Sequence, residues 1–260
     1  MNFYNQEAIL QFNLREFEFM QEIFPGELFL NLTDYDRNIR QLLPRYDEML
    51  DLLVHCIPPN TRQLLELGCG TGELTGKILS RFPEIEIVAV DYSPRMLDFA
   101  SVKIDKFGYG EQVHWIKADF GNLASLNAPL APKNGFDVCL SSLAIHHLTD
   151  PMKEKVFQWI GENLQPNGCF WNGDLVLPDL PNLVEFYQKT REEWAVSHGN
   201  TLSKLREQIA PTKPEGYSHE QEMGDLLDQL AMLKNVGFHP VMVPWKYYQL
   251  AIFGGYRSPG

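Results

Sequence analysis

The sequence has no apolar run of membrane-spanning length, no lysine- or arginine-rich stretch, no close pair of cysteines, no internal repeat and no low-complexity tract. Each absence excludes something. A spanning helix needs about twenty consecutive apolar residues, so none is expected. Nonspecific nucleic-acid affinity rests on clustered cations, and a formal net charge of −12 argues against a broad phosphate-binding surface. Cys56, Cys69, Cys139 and Cys169 are scattered, without metal-ligand spacing. Cys69, Cys139 and Cys169 fall on or beside predicted core strands, where a free cysteine acts as a small apolar residue. That usage fits a reducing cytosol, and a cytoplasmic location is expected. The first residues include Glu7, Glu16 and Glu18 rather than a basic start followed by an apolar stretch, so no signal peptide is expected. His198 and His219 have no third ligand near them in the chain, and no metal is expected.

What is present is an ordinary globular composition, 44% apolar and 22% charged, in a chain long enough for one core plus a small cap. Residues 1–57 read as a helical cap. In it Asn31-Leu32-Thr33-Asp34 resembles a turn, Tyr35-Asp36 begins a helix, and Pro44 suits a helix start before Tyr46, Met49, Leu50 and Leu53 at helical spacing. Pro58-Pro59-Asn60 then breaks the chain, and residues 58–260 read as the main domain. Strands are expected at 62–67, 85–90, 112–117, 136–141, 169–176, 238–243 and 247–253. Helices are expected at 72–81, 94–107, from Asp150-Pro151 to about Leu164, and at 219–235. Ser93 and Pro94 supply an N-cap and a first helical residue, and Leu97, Ala100, Ile104 and Phe107 form one stripe that Gly108 ends. Such alternation builds a doubly wound, mostly parallel α/β sheet with helices on both faces. Residues 178–218 interrupt it with helices near 181–197 and 202–210. An insertion of that length at a strand end suits a lid, and Phe186, Tyr187, Trp194 and Tyr217 would suit an apolar or planar small molecule.

The most informative stretch is Leu64-Leu65-Glu66-Leu67-Gly68-Cys69-Gly70-Thr71-Gly72-Glu73-Leu74. A buried strand ends in a loop with glycine at alternate positions, and a helix opens at once. Missing Cβ atoms let a ligand lie against the backbone, and the helix N-terminus favours an anionic group. Val88-Ala89-Val90-Asp91 ends the next strand in a carboxylate, placed to bind a ribose diol at the neighbouring strand end. Both features point to a nucleoside-containing cofactor. A nicotinamide or flavin fingerprint reads G-x-G-x-x-G, whereas here the pattern is G-x-G-x-G and position 73 is Glu.

The string E-L-G-C-G-T-G resembles the signature loop of class I S-adenosylmethionine-dependent methyltransferases, closely over residues 60–175 and more loosely over the final strands. The resemblance implies a Rossmann-like seven-stranded sheet with an antiparallel last strand. It implies S-adenosyl-L-methionine as cofactor and S-adenosyl-L-homocysteine as product. Gly68, Cys69, Gly70 and Gly72 would form the cofactor loop, and Glu66 would orient the methionine end. Asp91 would take the ribose, Tyr92 and Met96 would border the adenine, and Asp119 with Phe120 would meet its amino group and ring. Ser141 lies at the sulfonium end, and Tyr35 would close over the cofactor. Each has a plainer role open to it: a tight turn, a buried carboxylate, a cap or core packing.

For chemistry the candidates are His147, His146 and Asp174. The segment Ser141-Ser142-Leu143-Ala144-Ile145-His146-His147-Leu148 follows the fourth strand, and members with small substrates frequently read His-His-Leu there. A histidine can take a proton near neutral pH, and His147 is the first choice; either histidine could instead pack and cap the next helix. Asp174 could bind substrate or merely end its strand. The expected activity is methyl transfer to an O, N or C centre of a small molecule, with neither nucleic acid nor membrane as partner and the oligomeric state open. A tRNA- or protein-modifying enzyme, a carboxylated-sulfonium variant and a noncatalytic regulatory protein that binds the cofactor are the alternatives.

Overall fold

The computed structural model describes residues 32–119, 131–177, 180, 183–209 and 223–258. The expectations for residues 1–31, Phe120, Tyr217 and His219 lie outside the described residues.

The chain opens with α1 (Leu32–Leu42) and α2 (Tyr46–His55). It then alternates through β1 (Gln63–Leu67), α3 (Glu73–Arg81), β2 (Glu86–Asp91), α4 (Pro94–Lys106), β3 (Val113–Lys117), β4 (Phe136–Ser142), α5 (Asp150–Asn163) and β5 (Leu164–Leu175). Two helices follow, α6 (Leu183–Ser197) and α7 (Leu202–Ile209), before α8 (Leu226–Asn235), β6 (Phe238–Tyr247) and β7 (Leu250–Arg257). The seven strands lie in the order β3-β2-β1-β4-β5-β7-β6. β1 to β5 run parallel, and β7 is antiparallel to both β5 and β6. The order reverses at β1, and there the carboxyl ends of β1 and β4 diverge into the crevice where such sheets bind ligands.

Two apolar layers sandwich the sheet because inward side chains alternate along each strand. On one face Leu64, Ile87, Ala89 and Leu140 pack under α2, α3 and α4, with Met49, Leu50, Leu53 and Ile78 fully buried. On the other face Leu65, Leu67, Val90 and Cys139 pack under α5 and α8, with Val156, Phe157 and Leu233. Burying a side chain of that size stabilises the fold by about 1.5–3 kcal/mol. The cap joins the first face rather than standing apart: Ile39, Leu42, Leu43 and Tyr46 belong to that layer, and so do Ala195, Leu202 and Leu205 of the lid helices.

Several boundaries differ from expectation for local reasons. Leu32-Thr33-Asp34 is already helical, with Asp34 supplying an acid to the first turn. Pro44 sits in the turn before α2, whose N-cap is Arg45 at φ 65°. Thr149, not Asp150, is the N-cap of α5. α8 begins at Leu226 because the Asp225 side chain accepts from the backbone N–H groups of Leu227 and Asp228. Phe107 leaves the stripe of α4 and stands 63% exposed as the residue that ends the helix. Ser93 does cap α4, accepting from Met96 N at 3.3 Å, with Pro94 at the first position.

Candidate active site

The loop between β1 and α3 is stitched to the end of β2. Gly68 N and Cys69 N both donate to Val90 O, at 2.8 and 3.1 Å. Gly70 N donates to Asp91 Oδ2 at 2.8 Å, and Ser93 N to Asp91 Oδ1 at 2.9 Å. Asp91 is thus fixed by one amide on each oxygen. Gly70 (φ 51°) and Gly72 (φ 76°) adopt the left-handed conformation that other residues resist. A Cβ on Gly70 would meet nothing within 4 Å; it would project into open space above the loop, where a ligand would lie. Backbone, open space and the adjacent carboxylate fit the nucleoside and amino-acid ends of the sulfonium cofactor.

Beneath the loop Glu66 is 1% exposed and accepts from Thr75 Oγ1 at 2.7 Å. Burial pushes its carboxyl up to about 8, against the Thr75 hydrogen bond and with the Asp91 charge adding. Cys69 is buried, and burial raises its thiol far above the range of a nucleophile. Tyr35 on α1 belongs to the same neighbourhood. Burial, and then the charges of Asp36 and Asp91, raise its phenol well above the ordinary value. Met96 is 2% exposed on the inner side of α4. Tyr92 and Asp119 are half-buried just beyond β2 and β3.

An ionic cluster that the sequence did not signal fastens α1 to this loop. Asp36 accepts from Thr71 Oγ1 at 2.5 Å and from Lys103 Nζ at 2.7 Å. Lys103 also pairs with Glu73, which pairs in turn with Arg40 of α1. Arg40 continues to Asp47 at 3.0 Å. Burial would raise the Glu73 carboxyl, but Lys103 and Arg40 outweigh it and hold it at about 2. Burial keeps Asp36 above its usual range despite its two hydrogen bonds. The links that join α1 to the loop, Asp36–Thr71, Arg40–Glu73 and Asp36–Lys103, span 35, 33 and 67 residues, so local pattern carried no trace of them.

A second polar cluster is built from the ends of β4 and β5. Ser141 is buried and its Oγ donates to Leu67 O at 2.9 Å, which joins β4 to β1. Ile145–His147 forms a single 3-10 turn. His146 is 8% exposed; its Nδ1 lies 2.6 Å from Asp174 Oδ1, and its backbone N–H donates to Asp174 Oδ2 at 2.9 Å. Asp174 also accepts from Leu175 N at 2.9 Å and from Asn172 Nδ2 at 3.3 Å. The His147 ring lies against that of His146, with centroids 4.0 Å apart. Among the described residues no group of three or more His, Cys, Asp or Glu side chains could hold a metal ion. No helix among them is long and apolar enough to cross a membrane.

Comparison with known proteins agrees with this geometry. The family model described as a methyltransferase domain matches residues 64–168, the segment from β1 into β5. The biotin biosynthesis bifunctional protein BioHC of Teredinibacter turnerae is 36% identical over 112 residues, 41% of this chain and 18% of that protein. A carboxy-S-adenosyl-L-methionine synthase of Trichodesmium erythraeum is 25% identical over 231 residues, covering 86% of this chain and 85% of that one. Among solved structures, an O-methyltransferase family protein from Burkholderia thailandensis superposes with a TM-score of 0.65 at 15% identity, over 97% of this chain and 70% of that one. Fold, loop and relatives agree on a class: residues 64–168 carry a methyltransferase domain, and the sheet around it has the fold of class I methyltransferases, enzymes whose cofactor is S-adenosyl-L-methionine.

Proposed function

We propose that the protein transfers a methyl group from S-adenosyl-L-methionine to an O, N or C centre of a small-molecule acceptor. The observation that carries this reading is the convergence of three elements at one sheet end. These are the glycine loop with Asp91, the His146–Asp174 pair, and the helices α1 and α6 that flank the strand termini. The sulfonium already makes the methyl electrophilic when bound, so the main task of the chain is alignment. Positioning of this kind can supply roughly 7–11 kcal/mol.

For acceptors that lose a proton, the geometry favours His146 over His147. A hydrogen bond from Nδ1–H to Asp174 sets the tautomer in which Nε2 is the proton-accepting nitrogen. Asp174 then stabilises the imidazolium that forms. An acidic chain without a basic run, roofed by helices on both sides of the cleft, supports a small acceptor rather than a nucleic acid.

Calorimetric titration with S-adenosyl-L-homocysteine tests the core of the reading, and no binding would end it. Asp174→Asn tests the pair. The amide cannot stabilise the imidazolium, so turnover should fall by about 10²–10⁴-fold while cofactor affinity holds within about threefold. Unchanged turnover would return the pair to structure.

A second reading, formation or use of a carboxylated sulfonium, is favoured by one observation. The relatives named carboxy-S-adenosyl-L-methionine synthases match over most of both chains, at 25%, 24% and 22% identity. Mass spectrometry of the ligand carried through purification separates the two, because a carboxyl group adds a fixed mass to the sulfonium.

A further inference from the structure

Arg191, on helix α6, is a half-buried cation that the proposed chemistry does not use. Its Nε donates to Leu42 O at the end of α1, a long bond of 3.4 Å. That bond serves the C-terminal carbonyls of α1, as Trp194 Nε1 does for Arg40 O at 2.9 Å. It engages one of the five N–H groups of the guanidinium. Among the described residues Arg191 has no ion pair, although the chain carries 34 acidic side chains against 22 basic ones. Burial first, and then the nearby charge of Arg206 on α7, lower its pKa to about 10. It therefore stays protonated at neutral pH. A half-buried guanidinium with open donors is a ready partner for an anion.

The guanidinium borders a slot where the cap, the lid and the β6–β7 turn meet. Leu43, Tyr187, Tyr248 and Leu175 line it with Arg191. Leu175 directly follows Asp174, so the slot adjoins the carboxyl end of β5 on which the His146 pair is built. Its volume is ≈ 20 Å³. A single water needs about 10–15 Å³ by the same measure, so a carboxylate enters and a ring does not. The rings of Tyr187, Tyr247 and Tyr248 are among its walls, packed with centroids 4.5–4.9 Å apart, and give the slot an aromatic side against which a planar body can pack.

We infer that Arg191 anchors the carboxylate of a planar, carboxylate-bearing methyl acceptor, with the body of the acceptor lying across the tyrosine rings toward the end of β5. A guanidinium matches a carboxylate in a two-point hydrogen bond, and the slot admits that end of the molecule alone. Arg206 adds positive potential without entering the slot. The inference rests on the small-molecule methyltransferase reading and gives it a substrate class.

The test uses the full-length protein saturated with S-adenosyl-L-homocysteine and titrated with benzoate, 4-hydroxybenzoate, phenylacetate and cinnamate, each beside its neutral amide. At least one acid should bind roughly tenfold or more tighter than its amide, the discrimination expected of charge-assisted hydrogen bonds. Arg191→Gln should erase that preference while keeping S-adenosyl-L-homocysteine affinity within twofold, and Arg191→Lys should retain part of it. Equal binding of acids and amides, no acid binding at all, or a preference that survives in Arg191→Gln would overturn the anchor. If Arg191→Gln fails to fold, the acid–amide comparison on the unaltered protein and on Arg191→Lys decides. Failure of S-adenosyl-L-homocysteine itself to bind would instead remove the methyltransferase reading beneath it.

Discussion

Replacing Glu66 with Gln should make the protein more stable at neutral pH, by an amount that vanishes in mild acid. Glu66 lies at the end of β1, fully enclosed, with Thr75 Oγ1 donating to it at 2.7 Å. Its carboxyl titrates at about 8 in the folded chain, against 4.5 for the ordinary value. Between those two values the folded state keeps a proton that the unfolded state has released. Stability therefore falls as pH rises through the window, and it does so at ~1.4 kcal/mol per pH unit. At pH 7 the cumulative cost is about 3 kcal/mol; near pH 4.5 it is close to zero. Gln keeps the volume and an acceptor for Thr75 but cannot ionise, so it removes the cost.

Urea unfolding followed by tryptophan fluorescence at pH 5, 6 and 7 reads the difference directly. The gap between Glu66→Gln and the parent should widen steadily with pH, toward about 3 kcal/mol at pH 7. A gap that does not change with pH, or a variant less stable at pH 7, would refute the reasoning. Under the proposed role of Glu66 in orienting the methionine end, the same exchange should also weaken S-adenosyl-L-homocysteine binding. Stability would then rise as function falls, the usual direction when a buried ionisable group is kept for a ligand.

Gly72→Ala should destabilise the protein by about 1–3 kcal/mol, because Cβ at a left-handed residue is strained and here would stand 3.1 Å from the Ala100 Cβ. Thermal unfolding measures it, and adding Ala100→Gly should relieve the contact but not the backbone strain; full recovery would contradict that division. Asp36→Asn removes the carboxylate that receives Lys103 Nζ at 2.7 Å, so α1 should loosen from the loop by about 1–2 kcal/mol. Amide hydrogen exchange should accelerate in residues 32–42 and stay slow in α5, and uniform protection would show that the ionic cluster does not hold the cap.

What could be read from the sequence is what short-range chemistry decides. Ser93-Pro94 announces the start of α4 because a cap and a proline act within one turn. The glycine loop and Asp91 are legible for the same reason: a strand end, a turn and a helix start are contiguous, and the hydrogen bonds among them follow. The choice between His146 and His147 was not legible. It depends on how one 3-10 turn orients two adjacent rings relative to Asp174, 28 residues away. The pairing of Asp36 with Lys103 spans 67 residues, and nothing in either neighbourhood advertises it. The packing of α6 against the end of α1, which leaves Arg191 half-buried without a carboxylate, joins positions 149 residues apart and has no local signal.

Position 73 ties these scales together. In the sequence, Glu where a dinucleotide loop carries its third glycine separates the sulfonium cofactor from a nicotinamide one. In the structure the same side chain begins α3, where an acid suits the helix N-terminus, and it holds Arg40 of α1 and Lys103 of α4 at once. The residue that marks the loop therefore also fastens the helix bearing Tyr35 beside Asp91. At its other end that helix receives Trp194 and Arg191 from the lid, through the carbonyls of Arg40 and Leu42. α1 is thus a wall shared by the two halves of the cleft. One half is assembled by backbone geometry and by residues near one another in sequence. The other depends on segments outside the alternating strand–helix pattern, and its shape is fixed only once α1 has docked on Glu73.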